Sequence, residues 1–122
     1  MLPGMEHAET LTDEIANHGY AVRTLLKPET CATLIGLYDA EEHFRSRVVM
    51  ARHGFGRGEY KYFRYPLPDP VARLRAALYP ALSRVANAWA ETLGEAKRYP
   101  ETLEDYLAAC HAAGQTRPTP LL

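Results

Sequence analysis

Between Pro66 and Leu93 the chain carries its longest regular pattern, PLPDPVARLRAALYPALSRVANAWAETL. Val71, Leu74, Leu78, Leu82, Val85, Trp89 and Leu93 recur at steps of three and four, the spacing of one face of an α-helix. Arg73, Arg75 and Arg84 project elsewhere, so the stripe reads as packing surface. Asp69-Pro70 supplies an N-cap and a first helical position. Pro80 lacks the N–H that the helix ladder needs, which predicts two helices in series or one kinked helix. A stripe of this length demands a covering layer, and that demand constrains everything else in the chain.

Further helices are predicted around it. Thr12–His18 reads as a short helix stopped by Gly19. A second starts at Pro28, with Glu29 near the positive end of the dipole and Cys31, Leu34, Ile35, Leu37 and Tyr38 at helical spacing. Thr102–Ala113 reads as a last helix, with Leu103, Tyr106, Leu107 and Cys110 inward and Gly114 as its stop. Strand-like runs are fewer: Tyr20–Leu26, FRSRVVM at 44–50, EYKYFRY at 59–65 and a stub at Leu121–Leu122. ARHGFGRG at 51–58 is a glycine-bearing loop between the middle two. The expected class is α+β: a helix-rich support with two or three short strands. So small a sheet needs further strands or a cover.

Composition excludes some functions. The hydrophobic fraction of 47% and charged fraction of 24% are ordinary for a soluble globular protein. No run approaches the roughly 18–20 apolar residues of a membrane span. The opening MLPGMEHAETLTDE is acidic and lacks a basic segment followed by an apolar one, so it is no signal peptide. Cys31 and Cys110 have no CxxC spacing and read as buried, reduced thiols of a cytoplasmic protein.

The net charge of −1 conceals segregation: residues 1–44 sum to −6, residues 45–84 to +7 and residues 85–122 to −2. A basic middle between acidic flanks attracts an anionic partner or pairs with those flanks. Within it, Arg45, Arg47, Arg52, Arg57, Lys61 and Arg64 interleave with Phe55, Tyr60, Tyr62, Phe63 and Tyr65. On a strand Tyr60, Tyr62 and Arg64 share one face and Lys61, Phe63 and Tyr65 the other. One face then packs on helices while the other offers stacking rings and phosphate-seeking cations. Arg52, Arg57, Lys61, Tyr62 and Arg64 are the candidate substrate-binding residues. The plainer alternative is that these aromatics serve the strand and the arginines bridge to the acidic flanks.

Other local patterns carry no chemistry. His7-Ala8-Glu9 matches H-x-[D/E], but its possible third partners, His18, His43, His53 and His111, are scattered over predicted helices and loops. Cys110 and His111 are adjacent and face different sides of a helix. GFGRG at 54–58 has neither phosphate-loop spacing.

GYAVRTLLKPETCATLIGLYD resembles the opening strand and helix of Fe(II)/2-oxoglutarate-dependent dioxygenases. GRGEYKYFRYPLPDPVARLRAALYPALSRVANAW and RYPETLEDYLAACHAAGQTRPTPLL resemble a bacterial 2OG-Fe(II) oxygenase family proposed to act on damaged DNA, by analogy with AlkB-like demethylases. The resemblance covers nearly all of the chain after Thr10. It implies that the strand beginning at TRPTPLL leads into a double-stranded β-helix bearing an HxD…H iron triad and a basic residue for 2-oxoglutarate. A 2-His-1-carboxylate face leaves positions open for co-substrate and oxygen.

The domain expectation follows: an acidic leader at 1–11, then a single region at 12–122 that supports an oxygenase and stops before its barrel, inactive alone. Fe(II) and 2-oxoglutarate belong to the full-length family, with no catalytic or metal residue expected in this chain. The implied partners are nucleic acid and the missing C-terminal barrel. The alternative is a complete small α+β module binding nucleic acid or protein through the basic hairpin at 45–65, or pairing its strand edges with another subunit.

Overall fold

The computed structural model describes residues 2–122. Its elements are α1 (Leu11–His18), α2 (Pro28–Gly36), β1 (Phe44–Val49), β2 (Glu59–Phe63), α3 (Asp69–Thr92) and α4 (Leu103–Ala112), with 3₁₀ turns at Ala8–Thr10, Glu41–His43 and Met50–His53. The fold is α+β and helix-rich, with a two-stranded sheet and no jelly roll among the described residues. None of its helices is long and apolar enough to cross a membrane. The chain divides into two compact units: a helical one from residues up to Leu26 with Arg73–Gln115, and a sheet unit from Lys27–Ala72 with Thr116–Leu122.

In the helical unit Met5, Leu11 and Ala81 are buried, with Leu2, Ala8, Ile15, Ala21, Leu25, Leu78 and Val85 packed against them. Residues before α1 thus contribute to a core. Tyr20–Leu26 is not a strand, contrary to its composition. Side-chain burial still alternates from Tyr20 to Leu25, with Ala21, Arg23 and Leu25 half-buried and Tyr20, Val22 and Thr24 exposed, and the alternation ends at the half-buried Leu26. No ladder partner lies alongside among the described residues, and β-branched residues do not make a strand without one.

Of the two arrangements expected at Pro80, the structure has a single helix, α3, continuing through it, and not two helices in series. Pro80 and Ala76, whose carbonyl loses its donor, are both exposed, so water can serve that carbonyl. Leu78, Ala81 and Val85 hold the turns on either side in the core. The apolar stripe is packing surface only in part: Leu82, Trp89 and Leu93 are exposed, and the buried positions after Pro80 are the small Ala81, Ser83 and Ala90.

Helix α4 starts at Thr102, whose Oγ1 accepts from the Asp105 N–H at 3.2 Å. It ends in a Schellman motif, in which Gly114 takes φ 88° and the Gln115 N–H donates to the Cys110 carbonyl at 2.9 Å. Its half-buried residues are Leu103, Tyr106, Leu107 and Cys110, as its spacing predicts. Asn87 of α3 grips the approach to α4: its Nδ2 donates to the Tyr99 carbonyl (3.0 Å) and its Oδ1 accepts from the Tyr99 N–H (2.7 Å).

In the sheet unit β1 and β2 run antiparallel, pairing Val49 with Glu59 and Ser46 with Tyr62. The other edge of β2 takes up the tail: the Lys61 N–H donates to the Leu122 carbonyl (2.9 Å), the Leu122 N–H to Lys61 (3.0 Å) and the Phe63 N–H to Pro120 (3.0 Å). The strand-like reading of Leu121–Leu122 is met as a bridge to Tyr62. Phe44, Phe63, Leu67 and Val71 form the core, with Leu34, Leu37, Ala72 and Leu122 packed on it. The Phe44 and Phe63 rings stack at 4.7 Å, and Phe63 is only 2% exposed. Burying a ring of that size is worth about 1.5–3 kcal/mol. Cys31 is exposed and Cys110 half-buried, so neither is the buried thiol expected. Helix α2 carries no buried residue and meets the core through Leu34, which leaves Cys31 and Ile35 to solvent.

Candidate nucleic-acid interface

The basic, aromatic stretch folds as the β1–β2 hairpin, and the pleat sorts its side chains. Lys61 and Phe63 are buried on the inner face; Tyr60 and Tyr62 stand half-exposed on the outer one beside Val48 and Ser46. The register slips between Phe44 and Ser46, leaving Arg45 as the extra residue of a β-bulge. Bulges re-aim side chains, and this one sets the Arg45 guanidinium 4.5 Å from the centre of the Tyr62 ring. Arg45 Nε also donates to the Pro118 carbonyl at 3.1 Å, which fixes the guanidinium in place. The Tyr60 and Tyr62 rings meet edge to face at 5.5 Å. The outer face therefore presents two phenol rings and a stacked cation.

The connection between the strands is closed by its own backbone. The Met50 N–H donates to the Gly58 carbonyl at 3.0 Å, and the Phe55 N–H to the Met50 carbonyl at 3.3 Å. Gly54, Gly56 and Gly58 take φ of 73°, 102° and 107°, values that exclude most side chains. Arg52, His53, Phe55 and Arg57 are all exposed on this loop. Arg64 lies just beyond β2, its backbone N–H bonded to the His43 carbonyl at 2.8 Å and its side chain exposed. Among the described residues Arg52, Arg57 and Arg64 have no carboxylate partner. Of the bridging to acidic flanks that the sequence left open, the pair Lys61–Glu41 is an instance, while Arg47 pairs with Glu59 within the basic segment itself.

Lys61 is 5% exposed. Its Nζ donates to the Tyr38 carbonyl (2.8 Å) and to Glu41 Oε1 (2.7 Å), and sits 4.2 Å from the centre of the Tyr38 ring. Beside it Arg47 holds Glu59 through Nε (2.5 Å) and a second nitrogen (3.0 Å), and the Tyr38 hydroxyl donates to Glu59 at 2.7 Å. The Arg47 bond, then the Tyr38 bond, keep the Glu59 carboxyl below its ordinary range. Desolvation, then the bond to Glu59, push the Tyr38 phenol up.

Of the five candidates, Arg52, Arg57, Tyr62 and Arg64 thus lie on the outer side, the loop or the strand end, and Lys61 lies inside. Sequence reasoning missed the placement of Arg45 over Tyr62, because a bulge has no signature in alternation alone. It also missed Asn87, whose signal is a lone amide on an otherwise apolar and alanine-rich helix segment. His7 and Glu9 stand 3.7 Å apart on the surface. Among the described residues no three His, Cys, Asp or Glu side chains gather where they could hold a metal ion. The residues here do not fit an iron site.

A family model described as an oxygenase catalysing oxidative methylation of damaged DNA matches residues 58–122, which hold β2, α3, α4 and the paired tail. Two uncharacterized proteins of Mycobacterium tuberculosis, from strains CDC 1551 / Oshkosh and ATCC 25618 / H37Rv, are each 48% identical over 60 residues. The match covers 49% of this chain and 26% of each relative, so the chain spans about a quarter of the length of these relatives. No solved structure matches. With more than half its length matched by the family model, the chain belongs to the oxygenase family that acts on damaged DNA.

Proposed function

We propose that the β1–β2 hairpin is the nucleic-acid grip of a cytoplasmic oxygenase that oxidises alkylated DNA. Tyr60 and Tyr62 stack on bases, Arg45 adds its cation to that platform, and Arg52, Arg57 and Arg64 neutralise phosphates. Lys61 is a positioning residue that ties β2 to the segment carrying Tyr38 and Glu41. We assign these residues binding only. In the whole enzyme Fe(II) and 2-oxoglutarate, which supply the oxidising chemistry of the resembling dioxygenases, are held by residues beyond this chain. One observation carries the reading: exposed arginines without acidic partners lie on the loop before and the strand end after Tyr60 and Tyr62, whose face has a cation already stacked on it. Rings give sequence-tolerant affinity for unpaired bases, and loose cations give salt-dependent affinity for phosphates.

Fluorescence anisotropy with labelled single-stranded DNA tests it. The wild-type chain is expected to bind, and the double variant Arg52→Ala/Arg57→Ala to bind more weakly with an unchanged melting temperature. Each lost phosphate contact flattens the slope of log affinity against log salt by about 0.7. Equal affinity and equal salt slope in both proteins would refute the assignment.

A further inference from the structure

We propose that Phe55 is a wedge that enters the base stack of duplex DNA and opens it beside the nucleotide to be oxidised. The inference rests on the nucleic-acid reading of the same hairpin and adds a separate mechanical step to it.

Phe55 is 75% exposed on a glycine-rich loop, whereas the chain's other two phenylalanines, Phe44 and Phe63, are buried at 8% and 2%. It does not sit there for want of order. Its N–H bonds to the Met50 carbonyl, and the loop is closed behind it by the Met50–Gly58 bond. The glycines on either side thin the tip: a Cβ added at Gly54 or at Gly56 would meet nothing within 4 Å. The ring therefore stands out from a narrow ridge, with open space beside it. Arg52, His53 and Arg57 flank it, and no acid occurs between Arg45 and Gly58.

An exposed phenyl alone suits many apolar partners. A phenyl on a narrow ridge between cations suits an apolar layer sheathed in negative charge, which describes a base stack between two phosphate backbones. Proteins that unstack duplexes insert apolar side chains between base steps and secure the deformed backbone with arginine and lysine. Chemistry on a base within a duplex requires the base to leave the stack, most easily where it is damaged or mispaired. Phe55 fills the gap so created, and Arg52 and Arg57 grip the flanking phosphates.

The test uses the full chain and a short duplex carrying 2-aminopurine opposite a mismatch, with anisotropy and 2-aminopurine fluorescence read on the same samples. Wild type is expected to bind and to raise the fluorescence, which is quenched while the base is stacked. Phe55→Ala is expected to lose about tenfold in affinity and the fluorescence rise at saturation, with melting unchanged because the ring is exposed. Phe55→Leu keeps part of the rise. Arg52→Ala/Arg57→Ala binds more weakly yet reaches the full rise once saturated. Binding with no rise in wild type, or an equal rise in Phe55→Ala, overturns the wedge and leaves the nucleic-acid reading standing. No binding by wild type to duplex or single strand overturns both.

Discussion

The guanidinium of Arg45 lies 4.5 Å from the centre of the Tyr62 ring, on the face of the hairpin opposite its core. That contact fills one side of the ring with positive charge, and on the proposed nucleic-acid grip the pair is a single platform for a base and its phosphate. Tyr62→Ala is expected to weaken single-stranded DNA binding by about 1–3 kcal/mol. Arg45→Ala is expected to weaken it by about 0.5–1 kcal/mol from the lost stacking alone. Tyr62→Phe keeps the ring and stays near wild type in an anisotropy titration. If Phe proves as damaging as Ala, the hydroxyl matters and stacking does not.

Glu59 makes the hairpin acid-sensitive. Its carboxyl, held low by Arg47 and Tyr38, titrates below its ordinary value of 4.5 in the folded protein. The stabilisation is therefore present above the unfolded pKa and lost as pH falls through the lower, folded one. Melting curves of wild type and Glu59→Gln are expected to differ most near neutrality and to converge in acid. A gap that widens below pH 4.5 contradicts the pairing.

Lys61 supports the hairpin from inside. Lys61→Met keeps most of the side-chain volume but leaves the Tyr38 carbonyl without its donor, at a cost of about 1–3 kcal/mol in urea unfolding. DNA affinity of the folded fraction is expected to change little, because the ammonium is turned inward. A large affinity loss with intact stability moves Lys61 into the binding surface.

Asn87 does comparable work in the helical unit, where one amide satisfies both polar backbone groups of Tyr99. Asn87→Ala leaves that N–H and carbonyl dependent on water and is expected to cost about 1–3 kcal/mol. Hydrogen exchange at the Tyr99 amide reports it directly: protection persisting in the variant rules out the clamp.

Much of this was legible in the residues. The four inward residues of α4, the hairpin, the glycine loop and the strand-like character of Leu121–Leu122 follow from period, propensity and turn chemistry, whereas the strand that the tail pairs with does not. The failures share a cause, which is that local pattern does not say what lies alongside. Residues 20–25 keep strand-like alternation without a ladder, and Leu82, Trp89 and Leu93 keep helical spacing without a cover. Cys31 has the composition of a core residue on a helix that packs elsewhere. In the site, the alternation of β2 separated Tyr62 from Lys61, but the single-residue bulge that aims Arg45 depends on pairing with β2 and is invisible in β1 alone.

The central claim, that the outer face and loop of the hairpin grip nucleic acid, is tested most directly by titrating the isotope-labelled chain with single-stranded DNA and following its amide resonances. Saturable shifts concentrated between Arg45 and Arg64, fading as salt is raised, are the expected result. Shifts centred on α4, or none in the hairpin at DNA concentrations where anisotropy shows binding, would contradict it.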